Sequence, residues 1–180
     1  MTEVRPVRKS RILKFFRERP KLLEAAYDST HKLFERLEPL IEKTGNERVE
    51  RWIKGAEEWS KGQLFDCRMC GQCVLHSTGM VCPMGCPKNL RNGACGGVRA
   101  NGHCEVFPEM RCVWVEAFET SQNMGSYGPE MLHLNPPVNR QLTDRSAWIT
   151  QMTGEDKEVP QAWVGLNTIA VIPEEYPSNN

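Results

Sequence analysis

The chain has 180 residues and a formal net charge of zero at pH 7. This length fits one ordinary domain, or a small domain with extended appendages, and a neutral chain has no bulk attraction for nucleic acid or an anionic membrane surface. The hydrophobic content of 39% is somewhat low for a fully cored globule of this size. We therefore expect the fold to need a metal or a partner.

The N-terminal stretch MTEVRPVRKSRILKFF is basic but does not match a secretion signal. Only ILKFF resembles an apolar core, and no small-residue cleavage site follows it. No apolar run approaches the ~18 residues of a membrane-spanning helix. We expect a cytoplasmic protein without membrane contact, in which thiols are kept reduced and structural disulfides are disfavoured.

Residues 1–63 form a predicted N-terminal helical region. In PKLLEAAYDSTHKLFERLEPLIEK the apolar residues recur at three- and four-residue steps, which indicates an amphipathic helix. A second helix is predicted in NERVERWIKGAEEWSKG, with Gly45 closing the first helix, Asn46 capping the second and Gly62 ending it. The two would form a helical hairpin. The predicted packing stripe of the second helix consists of Val49, Trp52, Ile53, Ala56 and Trp59.

Residues 64–121, called here the cysteine-rich module, have a different composition. They are rich in glycine and proline, so long helices or strands are not expected before the short helix predicted in CVWVEAFETS. Such a segment cannot order itself by a hydrophobic core alone. We expect metal binding to stabilise much of the structure of this segment.

Residues 122–180 show no clear periodicity and are predicted to be an extended, partner-binding C-terminal arm. The spaced apolar pairs Trp148-Ile149 and Trp163-Val164 favour an arm that a partner orders, and a disordered tail is the alternative. The predicted fold class is therefore mostly α, with an N-terminal helical hairpin, an irregular metal-stabilised module and an extended C-terminal arm.

All eight cysteines lie in the cysteine-rich module, in a pattern typical of metal binding. The run begins C-x2-C-x2-C, a spacing that lets one tight loop present three thiolates to one cluster. Cys82 and Cys86 are each followed by proline, and neighbouring glycines allow backbone amides to approach cluster sulfurs closely. The predicted ligands, of cofactor and metal alike, are Cys67, Cys70, Cys73, Cys82, Cys86, Cys95, Cys104 and Cys112.

Two kinds of metal site remain open at this point. The triple C-x2-C-x2-C favours iron, as one or two [4Fe-4S] clusters, while Zn²⁺ bound by four cysteines is the alternative. Eight thiolates would serve two clusters or one cluster and one zinc, and spacing does not say which four act together. His76 and His103 lie among the cysteines and are expected to form hydrogen bonds or to be exposed. No catalytic residue is predicted, because a thiolate that binds a metal is not available as a nucleophile.

A resemblance to a known family is carried by C-x2-CGQCVL-x2-TGMVCPMGCPK-x3-NGACGG, followed by NGHCEV and MRCVWVEAF. These motifs, over roughly residues 60 to 120, resemble the methylenetetrahydrofolate reductase C-terminal (MetV-like) family. The resemblance implies a small cysteine-rich subunit of a heteromeric complex in one-carbon metabolism. Its partner would be a MetF-type flavoprotein, whose FMN or FAD would exchange electrons with the subunit's iron–sulfur clusters. An electron-donor protein would be a second partner.

The chain alone is not expected to catalyse folate chemistry. It is shorter than the ~250 residues typical of a (β/α)8 barrel and has no glycine fingerprint for a dinucleotide. The reductase (oxidoreductase) activity would belong to the complex. The alternative is a zinc-binding structural subunit that stabilises the flavoprotein without electron transfer. A nucleic-acid-binding zinc module is disfavoured by the neutral charge and by the lack of a basic run among the cysteines.

Overall fold

The computed structural model describes residues 5–7, 15, 18–44 and 47–158. Four α-helices lie in these ranges: α1 is Pro20–Thr44, α2 is Glu47–Phe65, α3 is Val113–Ser121 and α4 is Ala147–Thr153. No strand occurs in the described ranges, where an isolated antiparallel bridge pairs His103 with Arg111. The mostly α class with an irregular cysteine-rich segment is confirmed. No described helix is long and apolar enough to cross a membrane.

Both predicted N-terminal helices are present. α1 begins at Pro20, whose fixed φ suits the first helical position. The prediction that Gly62 ends the second helix is wrong, because α2 continues to Phe65. A glycine inside a helix costs only about 1 kcal/mol, and Phe65 gains packing against a core that contains Leu23 and Leu75. The turn predicted at positions 45 and 46 lies outside the described residues.

The buried face of α2 carries charge where the periodicity predicted an apolar stripe. Trp52 and Trp59 are 81% and 73% exposed, whereas Glu57 is only 1% exposed and Lys61 7%. The Lys61 ammonium lies 2.7 Å from the Glu57 carboxylate, four residues earlier on the helix. Burying these two charges is tolerated because each is paired. The predicted packing role of the two tryptophans is therefore wrong within the described structure.

Residues 122–158 pack back onto the cysteine-rich module and do not extend away from it. They contain 3-10 turns at Gly128–Leu132 and Arg140–Leu142, followed by α4. The hydroxyl of Thr150 on α4 donates to the Gly71 carbonyl at 2.5 Å. The prediction of an arm without regular structure is wrong for this part. Residues 159–180, including the predicted anchor Trp163, lie outside the described residues.

Two small apolar cores in the described part of the chain contact five of the eight cysteines. The first core contains Leu23, Leu75, Met80 and Met124, and Cys73 and Cys82 pack against it. The second core is centred on α3. It contains Val81, Met110, Cys112, Val113, Trp114 and Ala117, with Cys86 and Cys104 packed against it. Most of the cysteines thus lie in or against the hydrophobic interior.

Candidate metal centre

The C-x2-C-x2-C segment starts two residues after α2. Three residues within it or directly before it have left-handed backbone conformations. Asp66 has φ 51°, Met69 has φ 46° and Gly71 has φ 73°. The Asp66 carboxylate is 2% exposed and lies 3.1 Å from Arg5 and 3.3 Å from Arg68. Buried ion pairs of this kind hold an otherwise unfavourable turn in place. Left-handed residues therefore stand directly before Cys67 and on both sides of Cys70.

A second tight turn brings Cys82 to the same place. Gly79 and Met80 have φ 62° and 57°. A side chain at Gly79 would meet the carbonyl oxygen of Ala117 on α3 at 2.3 Å, so only glycine fits against that helix. The hydroxyl of Thr78 donates to the carbonyl of Val81 at 2.9 Å and closes the turn.

One cavity is lined by the four cysteines at positions 67, 70, 73 and 82, and we call it the four-cysteine cavity. Its volume is about 20 Å³, enough for about one water molecule. No group of three or more His, Cys, Asp and Glu side chains in the described ranges is arranged to hold a single metal ion. All eight cysteines are free thiols. The four side chains thus border a shared space without meeting at one point.

Three of these thiols have raised pKa values, because they are buried and lie close to other thiols. Burial raises the pKa of Cys67 to about 12, and the neighbouring Cys73 and Cys70 thiols add to the rise. Burial also raises the pKa of Cys82, as do repulsions from Cys67, Cys70 and Cys73. The pKa of Cys70 is raised by burial as well, although Arg91 acts against this. Protons therefore stay on these thiols until a cationic metal group replaces them.

Two buried cations line the same cavity. Burial by itself lowers the pKa of Lys61, but attraction to the Cys73 thiolate and to the Glu57 carboxylate outweighs this and raises it above its ordinary value. Arg91 is 6% exposed and donates from Nη2 to the Gln72 carbonyl at 3.0 Å. Its Nε and Nη1 are buried without a hydrogen-bond partner in the described part of the chain. Unused N–H donors beside four thiols fit an anionic, sulfur-rich group.

The other four cysteines lie elsewhere. In the bridge between His103 and Arg111, the register places Cys104 and Cys112 on one face, and Cys86 packs against the same core. Cys95 lines a different cavity, whose wall includes Met84 and Arg91. Both of these residues also border the four-cysteine cavity. The predicted ligands thus fall into three groups. Four line the four-cysteine cavity, three lie in or against the second core, and Cys95 lines the separate cavity that shares Met84 and Arg91 with the first.

Both histidines of the module form hydrogen bonds, as the sequence predicted. His76 Nδ1 lies 2.5 Å from a Glu130 carboxylate oxygen, and His103 Nδ1 donates to the Pro108 carbonyl at 2.7 Å. The sequence did not single out Lys61 or Arg91. Lys61 occupies an ordinary helical position and Arg91 an irregular loop, and neither belongs to a recognisable motif.

The fold and the site define a small, mostly helical protein class built around a loop-rich module with eight free thiols. The chain belongs to the family described as methylene-tetrahydrofolate reductase C terminal, which it matches over residues 46–141. The match spans α2 to the turn before α4 and includes every cysteine. It thus confirms and widens the resemblance found in residues 60 to 120. No curated protein and no solved structure matches the chain.

Proposed function

We propose that this chain is the iron–sulfur subunit of a methylenetetrahydrofolate reductase complex and carries electrons to or from the flavin of its partner. The observation that carries the proposal is the four-cysteine cavity, with Arg91 buried in its wall. The family membership supports an association with a reductase of this type.

The arrangement of the four cysteines supports a cluster over a single zinc ion. In a [4Fe-4S] cluster each of four thiolates binds a different iron, so the ligands are spread around a volume. In a four-cysteine zinc site all the sulfurs meet one ion at about 2.3 Å. Cysteines that border a shared cavity match the first arrangement. We assign Cys67, Cys70, Cys73 and Cys82 as ligands of one [4Fe-4S] cluster.

The remaining cysteines supply four ligands for a second centre. Cys104 and Cys112 share one face, and Cys86 packs against the same core. Movement of the loop around Cys95 would complete the set with a fourth thiolate. A second [4Fe-4S] cluster fits this count, and one Zn²⁺ is the alternative there.

The residues around the cavity would hold such a group, limit water and offset its negative charge. Met69 and Leu75 on the cavity wall are buried and apolar, so water has little access from their side. Lys61 and Arg91 bring positive charge to the cavity wall. Burial, charge and hydrogen bonds to sulfur are the means by which a protein sets a cluster's potential. When bound, the clusters would pass single electrons between a donor and a flavin.

The partner in this proposal is a MetF-type flavoprotein that carries FMN or FAD and performs the folate reduction. The present chain contributes no catalytic residue of its own. Residues 122–180 remain our candidate for the partner-binding segment, with residues 122–158 packed on the module. An electron-donor protein would complete the heteromeric complex.

Anaerobic purification tests the proposal directly. Iron bound by thiolates should make the full chain brown, with broad absorption near ~400 nm that bleaches on dithionite addition. A colourless protein with stoichiometric zinc would overturn the electron-transfer role and leave a zinc-binding structural subunit. In a pull-down with the tagged chain, recovery of a flavoprotein is expected, and failure to recover one would contradict the partner assignment.

A further inference from the structure

Arg91 is a buried cation whose hydrogen-bonding capacity is largely unused. Its side chain is 6% exposed, yet Nε and Nη1 find no partner among the described residues. Leaving a buried donor without a partner destabilises a fold, and more so when the donor is charged. A buried arginine with unused donors indicates a ligand that supplies the missing hydrogen-bond acceptors.

The position of the guanidinium is fixed by a network around Gln72. The Gln72 carbonyl accepts from Arg91 Nη2 at 3.0 Å. The Gln72 side chain donates to the Asp156 carbonyl at 2.9 Å and accepts from the Asn139 amide at 2.7 Å. Gln72 lies between the proposed ligands Cys70 and Cys73. The network therefore fixes the position of the Arg91 guanidinium relative to the loop that carries these two cysteines.

Lys61 is the other buried cation on the cavity wall. Its ammonium is already paired with the Glu57 carboxylate at 2.7 Å. No carboxylate is paired with Arg91 in the described ranges, where its guanidinium donates to the neutral Gln72 carbonyl and lies within hydrogen-bonding reach of the Cys70 thiol. The positive charge of Arg91 is therefore the one available to a bound anion.

We propose that Arg91 binds the cofactor: its Nε and Nη1 donate hydrogen bonds to sulfur atoms of the cluster held by Cys67, Cys70, Cys73 and Cys82. This inference rests on the proposed function. A cation that donates to the sulfurs stabilises the more negative, reduced cluster and raises its reduction potential. Arg91 also borders the cavity lined by Cys95, so its side chain belongs to the walls of both cavities.

The test is a redox titration of the full chain, followed by the electron paramagnetic resonance of the reduced clusters. In Arg91→Gln the ratio of reduced to oxidised cluster at a fixed potential should fall about tenfold, a midpoint about 59 mV more negative for one electron. Arg91→Lys keeps the charge but loses the planar fork, so its midpoint should lie between those of Arg91→Gln and the wild type.

Arg51→Gln is the matched control. It removes the same charge from an exposed position on α2 that lines neither cavity, and its midpoint should equal that of the wild type. If Arg91→Gln retains its iron and titrates like Arg51→Gln, the inference is overturned while the proposed function stands. If Arg91→Gln loses its iron, Arg91→Lys decides, and a wild-type midpoint there overturns the inference. A wild-type chain that holds only zinc overturns both.

Discussion

The carboxylate of Glu57 on α2 accepts a hydrogen bond from the hydroxyl of Ser146, the residue that caps α4, at 2.5 Å. It also accepts from the backbone amide of Ala147 at 3.2 Å. Thr150 on α4 in turn donates to the carbonyl of Gly71, in the loop of the first three cysteines. One buried carboxylate therefore joins α2 to the helix that covers this loop.

Replacing Glu57 should be strongly destabilising. Glu57→Ala removes the acceptor at the start of α4 and leaves Lys61 buried without its partner, which should cost about 3–5 kcal/mol. Chemical denaturation of the metal-loaded protein measures the loss. Glu58→Ala, at the exposed neighbouring position, should stay within about 0.5 kcal/mol of the wild type. Equal stabilities of the two variants would contradict the role assigned to Glu57.

Glu24 on α1 should make stability depend on pH in the acidic range. Burial raises its pKa, but the backbone amides of Tyr127, Gly125 and Ser126 donate to it and bring the pKa below the ordinary 4.5. A carboxyl with a lowered folded pKa stabilises fully above its unfolded pKa and loses this contribution as pH falls through the folded value.

The corresponding experiment follows the unfolding free energy from pH 6 downward. The wild type should lose more stability below about pH 4.5 than Glu24→Gln, by about 1–2 kcal/mol, because the variant has no proton to bind there. Glu50→Gln, at an exposed position on α2, should follow the wild-type curve. Parallel curves for the wild type and Glu24→Gln would show that these amides do not favour the charged carboxylate.

Gly71 should tolerate no side chain. Its φ is +73°, and a Cβ there would lie 2.2 Å from the backbone oxygen of Leu142. Gly71→Ala should cost about 2–5 kcal/mol and lower the iron content, since the loop between two ligands must move. Gly55→Ala is the matched control, because that position on α2 has open space and should gain about 0.5–1 kcal/mol. Thermal unfolding and iron analysis distinguish the two.

Pairs of cysteine substitutions should reveal which ligands share a centre. If two clusters form, Cys82→Ser should remove about half of the iron, and adding Cys67→Ser should remove little more, because both residues serve one cluster. Adding Cys104→Ser to Cys82→Ser should remove nearly all of it. Iron that falls equally in both double variants would contradict the grouping around the four-cysteine cavity.

The sequence was sufficient for features that depend on local spacing. Helical periodicity located α1 and α2, and the motif around Cys112 located α3, for which that residue is the N-cap. The cysteine spacing and motifs identified the family. Each of these patterns lies within a short stretch of sequence, and the residue types in that stretch are sufficient to predict the feature.

Other features depend on contacts between distant residues and could not be read from such windows. Glu57 is buried because residue 146 needs an acceptor, 89 positions further along the chain. Cys82 joins the first three cysteines because Gly79 fits against α3. The donors of Arg91 are notable only once burial is known. Periodicity also overestimated the packing of Trp52, since an amphipathic stripe does not identify which face finds a partner.

The nearness of the first four ligands along the chain has a consequence for biosynthesis. Positions 67 to 82 leave the ribosome together, and closing so short a loop costs little entropy. Ser146 and α4 are made later, and only then can Glu57 receive its hydrogen bonds. Translation thus leaves an interval in which the four cysteines are accessible. Docking of α4 then covers the loop that carries the first three of them.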